Sequence, residues 1–268
     1  MNNFNIAIRG KLGSGKDTTY DMLNFLISSS GYLNISTYGH YLNLKDSIRY
    51  GTNNIKFADA IKDTICSWLG CTRAKLEDRE FKNTHLGKEW WIFETFDNAN
   101  KRQIFSYMKH KDLFDERALV KLTPRLLLQL LGTEAGRNIL HPDIWVNIAF
   151  NKLKLDENNI ITDLRFINEY ERCATNNFTF IFLHRHLGLR LNLQPEIFGV
   201  KSIIDVPEPE IMRYLSQQQP EIISVITHES ETALDYYTSP DALNHSLFDI
   251  TNNGLREDLF NNLKSIIL

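Results

Sequence analysis

Little in this chain is in excess, and each shortage removes a class of protein. Its 268 residues hold three cysteines, Cys66, Cys71 and Cys173, without the paired spacing of a metal knuckle. Pairing two of them leaves one over, so reduced thiols are expected rather than a disulfide framework. No stretch approaches the ~18 consecutive apolar residues of a membrane span. The opening Met1-Asn2-Asn3-Phe4-Asn5 has neither the basic nor the apolar region of a secretory signal, and a cytoplasmic protein is the expectation. Basic residues show no surplus: 30 Lys and Arg against 33 Asp and Glu give a net charge of −3. Neither a nucleic-acid-binding face nor a membrane partner is therefore expected. Internal repeats, low-complexity tracts and H-E-x-x-H or other zinc signatures are missing as well, and no Ser–His–Asp or Cys–His arrangement follows from spacing. What is present is 43% hydrophobic sequence, enough for the core of one large domain.

The most informative stretch is Gly10-Lys11-Leu12-Gly13-Ser14-Gly15-Lys16-Asp17-Thr18. It follows a short apolar run, Phe4 to Arg9, and opens a helical pattern. The spacing is that of the phosphate-binding loop G-x-x-x-x-G-K-[ST], with Asp17 where Ser or Thr is usual. Glycines permit a tight turn in which successive N–H groups face an anion, and the helix N-terminus favours the same charge. Lys16 is placed to reach the β- and γ-phosphates of a nucleoside triphosphate. A dinucleotide fingerprint fits worse, because glycines at 10, 13 and 15 do not follow G-x-G-x-x-G.

Strand and helix signals alternate along the chain. Asn5–Arg9 reads as a buried strand, Lys16 to about Ser29 as a helix, and Tyr32–Tyr38 as a short strand. Gly39–Asn54 is polar with weak periodicity. Ala58 to Leu69 carries a helical stripe closed by Gly70. Thr123-Pro124 and His141-Pro142 are helix starts, the second running through Leu153. Asn159–Thr162 is a short strand ending on Asp163, followed by a helix from about Ile167 and a strand over Phe178–Leu183. The chain closes with a strand at Leu247–Thr251 and a helix to Ile267. This order predicts an α/β fold, a mostly parallel sheet with helices on both faces, of the P-loop NTPase three-layer type. One domain over residues 1–268 is expected, with insertions at 34–55, 72–116 and 187–226.

Outside the loop, several residues have both a chemical and a plain reading. Asp163 ends a strand, where a phosphate-loop enzyme carries the acid that helps hold Mg²⁺, or where an ordinary helix cap sits. Arg165 and Glu169 are a phosphate-gripping arginine with its orienting carboxylate, or an exposed (i, i+4) pair. Arg125 and Gln129 share one face of an apolar helix that either lines a cleft or shows its solvent side. Trp145 is a core side chain or a stacking face for a base. His228-Glu229-Ser230-Glu231 gathers polar groups after the last insertion.

Six segments, taken in order, resemble the deoxynucleoside monophosphate kinases of tailed phages, a branch of the P-loop nucleotide kinases. They are the loop ending Gly-Lys-Asp-Thr, Phe57–Lys62, and Thr123-Pro124-Arg125 running on through Gln129-Leu130-Leu131-Gly132-Thr133-Glu134. Asp143–Val146, Thr162–Glu169, and the pair His228–Glu231 with Ile250–Gly254 complete the set. The resemblance implies ATP in the loop, held by Gly13, Ser14, Gly15, Lys16, Asp17 and Thr18. It implies a facing site for a deoxynucleoside monophosphate at Lys11, Arg125, Gly132, Trp145, Asp163, Arg165 and Glu169. Lys16, Arg125 and Arg165 become the expected catalytic cations. Mg²⁺ is the expected cofactor, with Asp17 and Asp163 beside it, and Asp163 stays open between metal and acceptor. Lys62 opens the acceptor-side region, Arg185 belongs to the part that closes over ATP, and Asn252-Asn253-Gly254 flanks the adenine. A viral chain would act in the host cytoplasm, and relatives that dimerise make a homodimer compatible. The three insertions depart from the family pattern, and base preference is the property that transfers least. The reading expected is ATP-dependent conversion of a dNMP to its diphosphate. The rivals are a same-fold kinase with another phosphorylated acceptor and a non-kinase P-loop ATPase or switch. Asn151-Lys152-Leu153-Lys154 lacks the aspartate of the guanine motif N-K-x-D.

Overall fold

Strands with apolar side chains on both faces can be buried only between two layers of helices, and that requirement organises the first half of this structure. The computed structural model describes residues 3–29, 37–47, 51–97, 102–106, 119–227, 229–235 and 246–267. β1 (Asn5–Gly10) turns into α1 (Lys16–Ser29), followed by α2 (Tyr38–Leu44) and β2 (Thr52–Ile55). Next come α3 (Asp59–Leu69), α4 (Arg73–Glu77), α5 (Arg79–Asn83), β3 (Trp91–Asp97), β4 (Arg102–Ser106) and β5 (Leu119–Lys121). α6 (Pro124–Gln129) continues as a π-helix, Leu130–Leu140, before α7 (Ile144–Phe150), β6 (Asn158–Leu164), α8 (Ile167–Thr175) and β7 (Thr179–His184). α9 (Leu187–Arg190), α10 (Glu208–Gln218), α11 (Pro220–Ile226) and α12 (Glu229–Thr232) precede β8 (Leu247–Thr251) and α13 (Arg256–Ile267). The chain divides into two compact units, residues 1–57 with 146–268, and residues 58–145.

The first unit is built on a five-stranded sheet of order β2-β6-β1-β7-β8, parallel at every pairing. Side chains alternate between its faces. Ile6, Ile8, Ile160, Ile181 and Leu183 pack with α1 and α13 through Met22, Leu26, Leu259 and Phe260. Ala7, Ile161 and Phe180 face the other way, onto Val146 and Ala149 of α7 and Tyr170 and Cys173 of α8. The expected α/β fold of the P-loop NTPase type is therefore present, with helices on both faces of a parallel sheet. Residues 187–226 add a helical subassembly with its own core of Leu187, Ile203, Val206, Ile211, Leu215 and Ile226.

The second unit packs α3, α4 and α6 around Ile65, Leu76, Leu122 and Leu127. Its antiparallel sheet has the order β4-β3-β5. Gly70 closes α3 in the left-handed conformation, φ 60°, as the stripe before it predicts.

Several boundaries differ from the sequence reading. Tyr38 opens α2, with Thr37 Oγ1 accepting from His40 N at 3.2 Å; residues 32–36 of the expected strand lie outside the described residues. β2 forms within the stretch read as aperiodic, because β6 offers a parallel edge and Ile55 alone reaches the core. α7 ends at Phe150 rather than Leu153. β6 runs through Asp163 to Leu164, so Asp163 sits inside a strand. The 72–116 segment yields α4, α5, β3 and β4, with residues 98–101 and 107–116 outside the description.

Phe260 is the keystone of the α1–α13 layer, fully buried against Phe25 and Tyr41 with ring centroids 6.2 and 5.6 Å away. Phe260→Ala should cost about 3–5 kcal/mol of unfolding free energy. Chemical denaturation followed by circular dichroism measures it, and an unchanged midpoint would contradict this packing.

Candidate functional site

The turn from β1 into α1 adopts the backbone that an anion-binding loop requires. Gly13 and Gly15 have φ of +76° and +100°, the left-handed region that glycine enters without strain. Space excludes larger residues independently. A Cβ on Gly13 would lie 2.5 Å from Arg190 O, and one on Gly15 2.6 Å from Asn252 Nδ2.

Side-chain donors hold the loop by its carbonyls. Lys16 Nζ reaches back to Gly10 O, in a short contact, and to Lys11 O at 3.0 Å. Arg190 Nε donates to Leu12 O at 2.8 Å, Arg185 Nη1 to Gly13 O at 3.4 Å, and Asn252 Nδ2 to Ser14 O at 2.8 Å. With carbonyls 10 to 14 engaged in this way the loop has the polarity of an anion nest, although the Leu12 N–H is taken by Glu231 and the Ser14 N–H by Lys11 O at 3.1 Å. Ser14 Oγ, Arg185 Nε, His186 Nδ1 and Arg190 Nη2 are buried without a hydrogen-bond partner among the described residues. Buried polar atoms are normally satisfied, so this cluster marks where a ligand with several acceptors fits. A cleft of ≈ 420 Å³ adjoins it, bounded by Arg9, Lys11, Arg185, His186, Arg190 and Asn253 among others.

Carboxylates balance these cations. Asp235 takes Arg9 Nη2 at 2.8 Å and Lys11 Nζ at 2.5 Å, while Glu231 takes Arg165 Nη1 at 2.6 Å and the Leu12 N–H at 2.6 Å. Burial lowers the Arg9 and Arg190 pKa values from the arginine range, and Asp235 counteracts the shift at Arg9. Glu169 is buried, not an exposed partner on a helix face. Its Oε2 accepts from Arg165 N at 2.8 Å and Phe166 N at 3.1 Å, closing the first turn of α8. Asp163 Oδ1 accepts from Phe57 N at 2.9 Å. The Asp17 side chain is 92% exposed, with Lys56 Nζ at 3.6 Å, and Thr18 follows it in the first turn of α1.

The structure thus brings Lys11, Gly13, Ser14, Gly15, Lys16, Arg165 and Glu231 into one connected set within the first unit. Arg125, Gly132 and Trp145 belong to the second unit. There Arg125 Nε donates to Asn83 Oδ1 at 2.9 Å. Trp145 is only 5% exposed, and its indole N–H donates to Gly132 O at 2.8 Å. A Cβ on Gly136 would meet the Trp145 ring at 2.6 Å, so the π-helix and the tryptophan are fitted to each other. Long π-helices are rare and tend to mark functional sites. Lys62 is engaged by Glu77 at 2.6 Å, and the pull of Lys62 and Lys82 outweighs burial to hold the Glu77 pKa down to about 2.

Sequence reasoning did not single out Arg190, Glu231 or Asp235 as site residues. Glu231 lay in a noted polar cluster, but its partners are more than 60 residues away. Among the described residues no group of three or more His, Cys, Asp or Glu side chains is arranged to hold a metal by itself. Magnesium asks for less, since it keeps most of its water and needs one or two carboxylates beside phosphate oxygens. Asp17 and Asp163 both act on Lys16 electrostatically.

Lys16 has its pKa lowered to about 8, first by burial and then by Arg165, with Glu231, Asp17 and Asp163 pulling it back up. Below that pH the ammonium is present, and above it the free loop loses the charge. An anion favours the charged form, so binding above pH 8 takes up a proton. Affinity for a nucleoside triphosphate, measured by calorimetry with chelator present, should fall by up to about tenfold per pH unit above ~8. Lys16→Arg, charged throughout, should flatten this dependence. A wild-type affinity constant from pH 7 to 9.5 would show that Lys16 is not the titrating group.

Comparison with known proteins agrees with the motifs. No family model matches the chain. The curated deoxynucleoside-5'-monophosphate kinase of Escherichia phage T5 is 28% identical over 194 residues, which cover 64% of this chain and 72% of that protein. The chain is similar, in its ordered motifs and over most of its length, to a phage-type deoxynucleoside monophosphate kinase.

Proposed function

We propose that this chain is a deoxynucleoside monophosphate kinase, transferring the γ-phosphoryl group of ATP to a dNMP to give ADP and a dNDP. The observation that carries the reading is the carbonyl-clamped loop with Lys16 and Arg165 joined to one carboxylate. Similarity to the T5 kinase supports the same class.

The chemistry asks for alignment and charge neutralisation. A phosphate monoester has its second pKa near ~6, so the acceptor oxygen is already ionised at neutral pH and needs no general base. Gly13, Ser14, Gly15, Lys16, Asp17 and Thr18 hold the ATP phosphates through backbone N–H groups, the Lys16 ammonium and the Thr18 hydroxyl. Arg165 and Lys11 grip the acceptor phosphate. Glu169 sets the Arg165 backbone through its two N–H bonds. Asp17 and Asp163 would hold Mg²⁺, which would supply neutralisation of phosphate charge. Two anions brought together in this way account for most of the rate enhancement that such kinases need.

The test is ADP release with ATP, Mg²⁺ and a panel of deoxy- and ribonucleoside monophosphates, with the diphosphate product identified by mass. At least one dNMP should stimulate ADP release and appear as its diphosphate. Lys16→Ala should lower kcat by on the order of 10²- to 10³-fold with the circular dichroism spectrum unchanged. ADP release indifferent to every monophosphate would instead indicate an ATPase.

A further inference from the structure

Segment 229–235 brings two carboxylates to the phosphate loop, and one of them joins groups assigned to different substrates. Glu231 Oε2 accepts the Leu12 N–H at 2.6 Å, and Oε1 accepts Arg165 Nη1 at 2.6 Å. The Glu231 side chain is 6% exposed, against 33% for Arg165. Four residues on, Asp235 is fixed by Arg9 at 2.8 Å and Lys11 at 2.5 Å. A carboxylate bound at both oxygens and buried at this level is not a screened surface partner. Removing its charge takes from Arg165 a close and buried carboxylate.

We propose that Glu231 is a positioning residue, fixing the Arg165 guanidinium against the first limb of the phosphate loop so that acceptor-side cation and donor-side amides share one arrangement. The proposal rests on the kinase reading above for the identity of the two substrates. Geometry distinguishes it from a simpler role as a stand-in for phosphate. A stand-in must leave when the ligand arrives, whereas this segment is held to the loop and its surroundings by four contacts from Arg9, Lys11, Leu12 and Arg165. Glu231 also supports the charge on Lys16, against the repulsion from Arg165.

Glu231→Gln keeps an oxygen for the Leu12 N–H and removes the charge that faces Arg165. Steady-state kinetics on wild type, Glu231→Gln, Arg165→Ala and the double variant form a cycle that tests the coupling. Glu231→Gln should lower kcat by about 10- to 100-fold while both KM values stay within about threefold. The double variant should be no slower than Arg165→Ala alone, because Glu231 acts through that arginine. Losses that multiply would overturn the proposal. A lowered KM with kcat maintained would overturn it too, identifying the carboxylate as a competitor of phosphate. Thermal melts separate these effects from unfolding, and if Glu231→Gln does not fold, Glu231→Asp takes its place in the cycle. A wild-type protein that phosphorylates no acceptor would sink the kinase reading, not this one. The cycle is then read on ATP affinity by calorimetry, where Glu231→Gln should weaken binding about threefold in the wild-type background and not at all beside Arg165→Ala. Equal losses in both backgrounds would overturn the positioning role.

Discussion

The carbonyl groups of residues 10 to 14 are the constraint on which the first unit depends. Each accepts a hydrogen bond from a side chain, and the donors are Lys16, Arg190, Arg185 and Asn252. These come from the loop itself, from α9, from the end of β7 and from the turn after β8. A tight glycine turn can fold in many ways, and glycines alone do not decide which way its peptide planes face. The long-range donors decide it here. Sheet order is what makes this possible, since β7 lies next to β1 and β8 next to β7, and the parallel strands deliver their C-terminal residues to the same edge. Ligand sites of open parallel sheets sit at that edge for the same reason.

The donors carry a consequence. Arg9, Lys11, Lys16, Arg165 and Arg190 cannot be gathered in one region without repulsion, and the Lys16 pKa, lowered first by burial and then by Arg165, registers part of that cost. Asp235 and Glu231 offset part of it, with Asp235 serving two cations and Glu231 one cation and one amide. Under the proposed kinase function this incomplete balance suits the site, because a polyphosphate would bring several more negative charges. Too many internal carboxylates would make the site neutral and indifferent to anions. The two present orient the cations while leaving a net attraction.

How much of this was legible in the sequence follows from which interactions are local. β1, the loop and α1 form a contiguous signal of apolar run, glycine spacing, lysine and helix, and α1 spans Lys16–Ser29 as its periodicity predicts. β2 was not legible, because Thr-Asn-Asn-Ile contains one apolar residue and becomes a strand only through pairing with β6. Glu231 and Asp235 were not legible as site residues, since an acidic pair after a helical insertion reads as solvated surface until the fold brings it against β1. Glu169 was half legible. Its spacing from Arg165 predicted a relationship, but the bond runs to the backbone N–H groups of Arg165 and Phe166, which periodicity does not distinguish from a side-chain pair.

The second unit shows the same limit in a different form. Thr123-Pro124 marked a helix start correctly, and Thr123 Oγ1 caps Leu126 N at 3.2 Å. The change to a π-helix at Leu130 has no periodic signature, because the residue types of Leu-Leu-Gly-Thr-Glu-Ala-Gly suit an ordinary helix apart from the two glycines. The helix's packing partner is Trp145. Its indole N–H takes Gly132 O, and its ring fills the position that a side chain at residue 136 would need. A carbonyl oxygen has two lone pairs, so Gly132 O can accept the indole N–H beside a bond within the helix. Gly132, Gly136 and Trp145 are therefore one structural feature written in two places. The buried tryptophan thus sets the shape of the backbone beside it instead of offering its face.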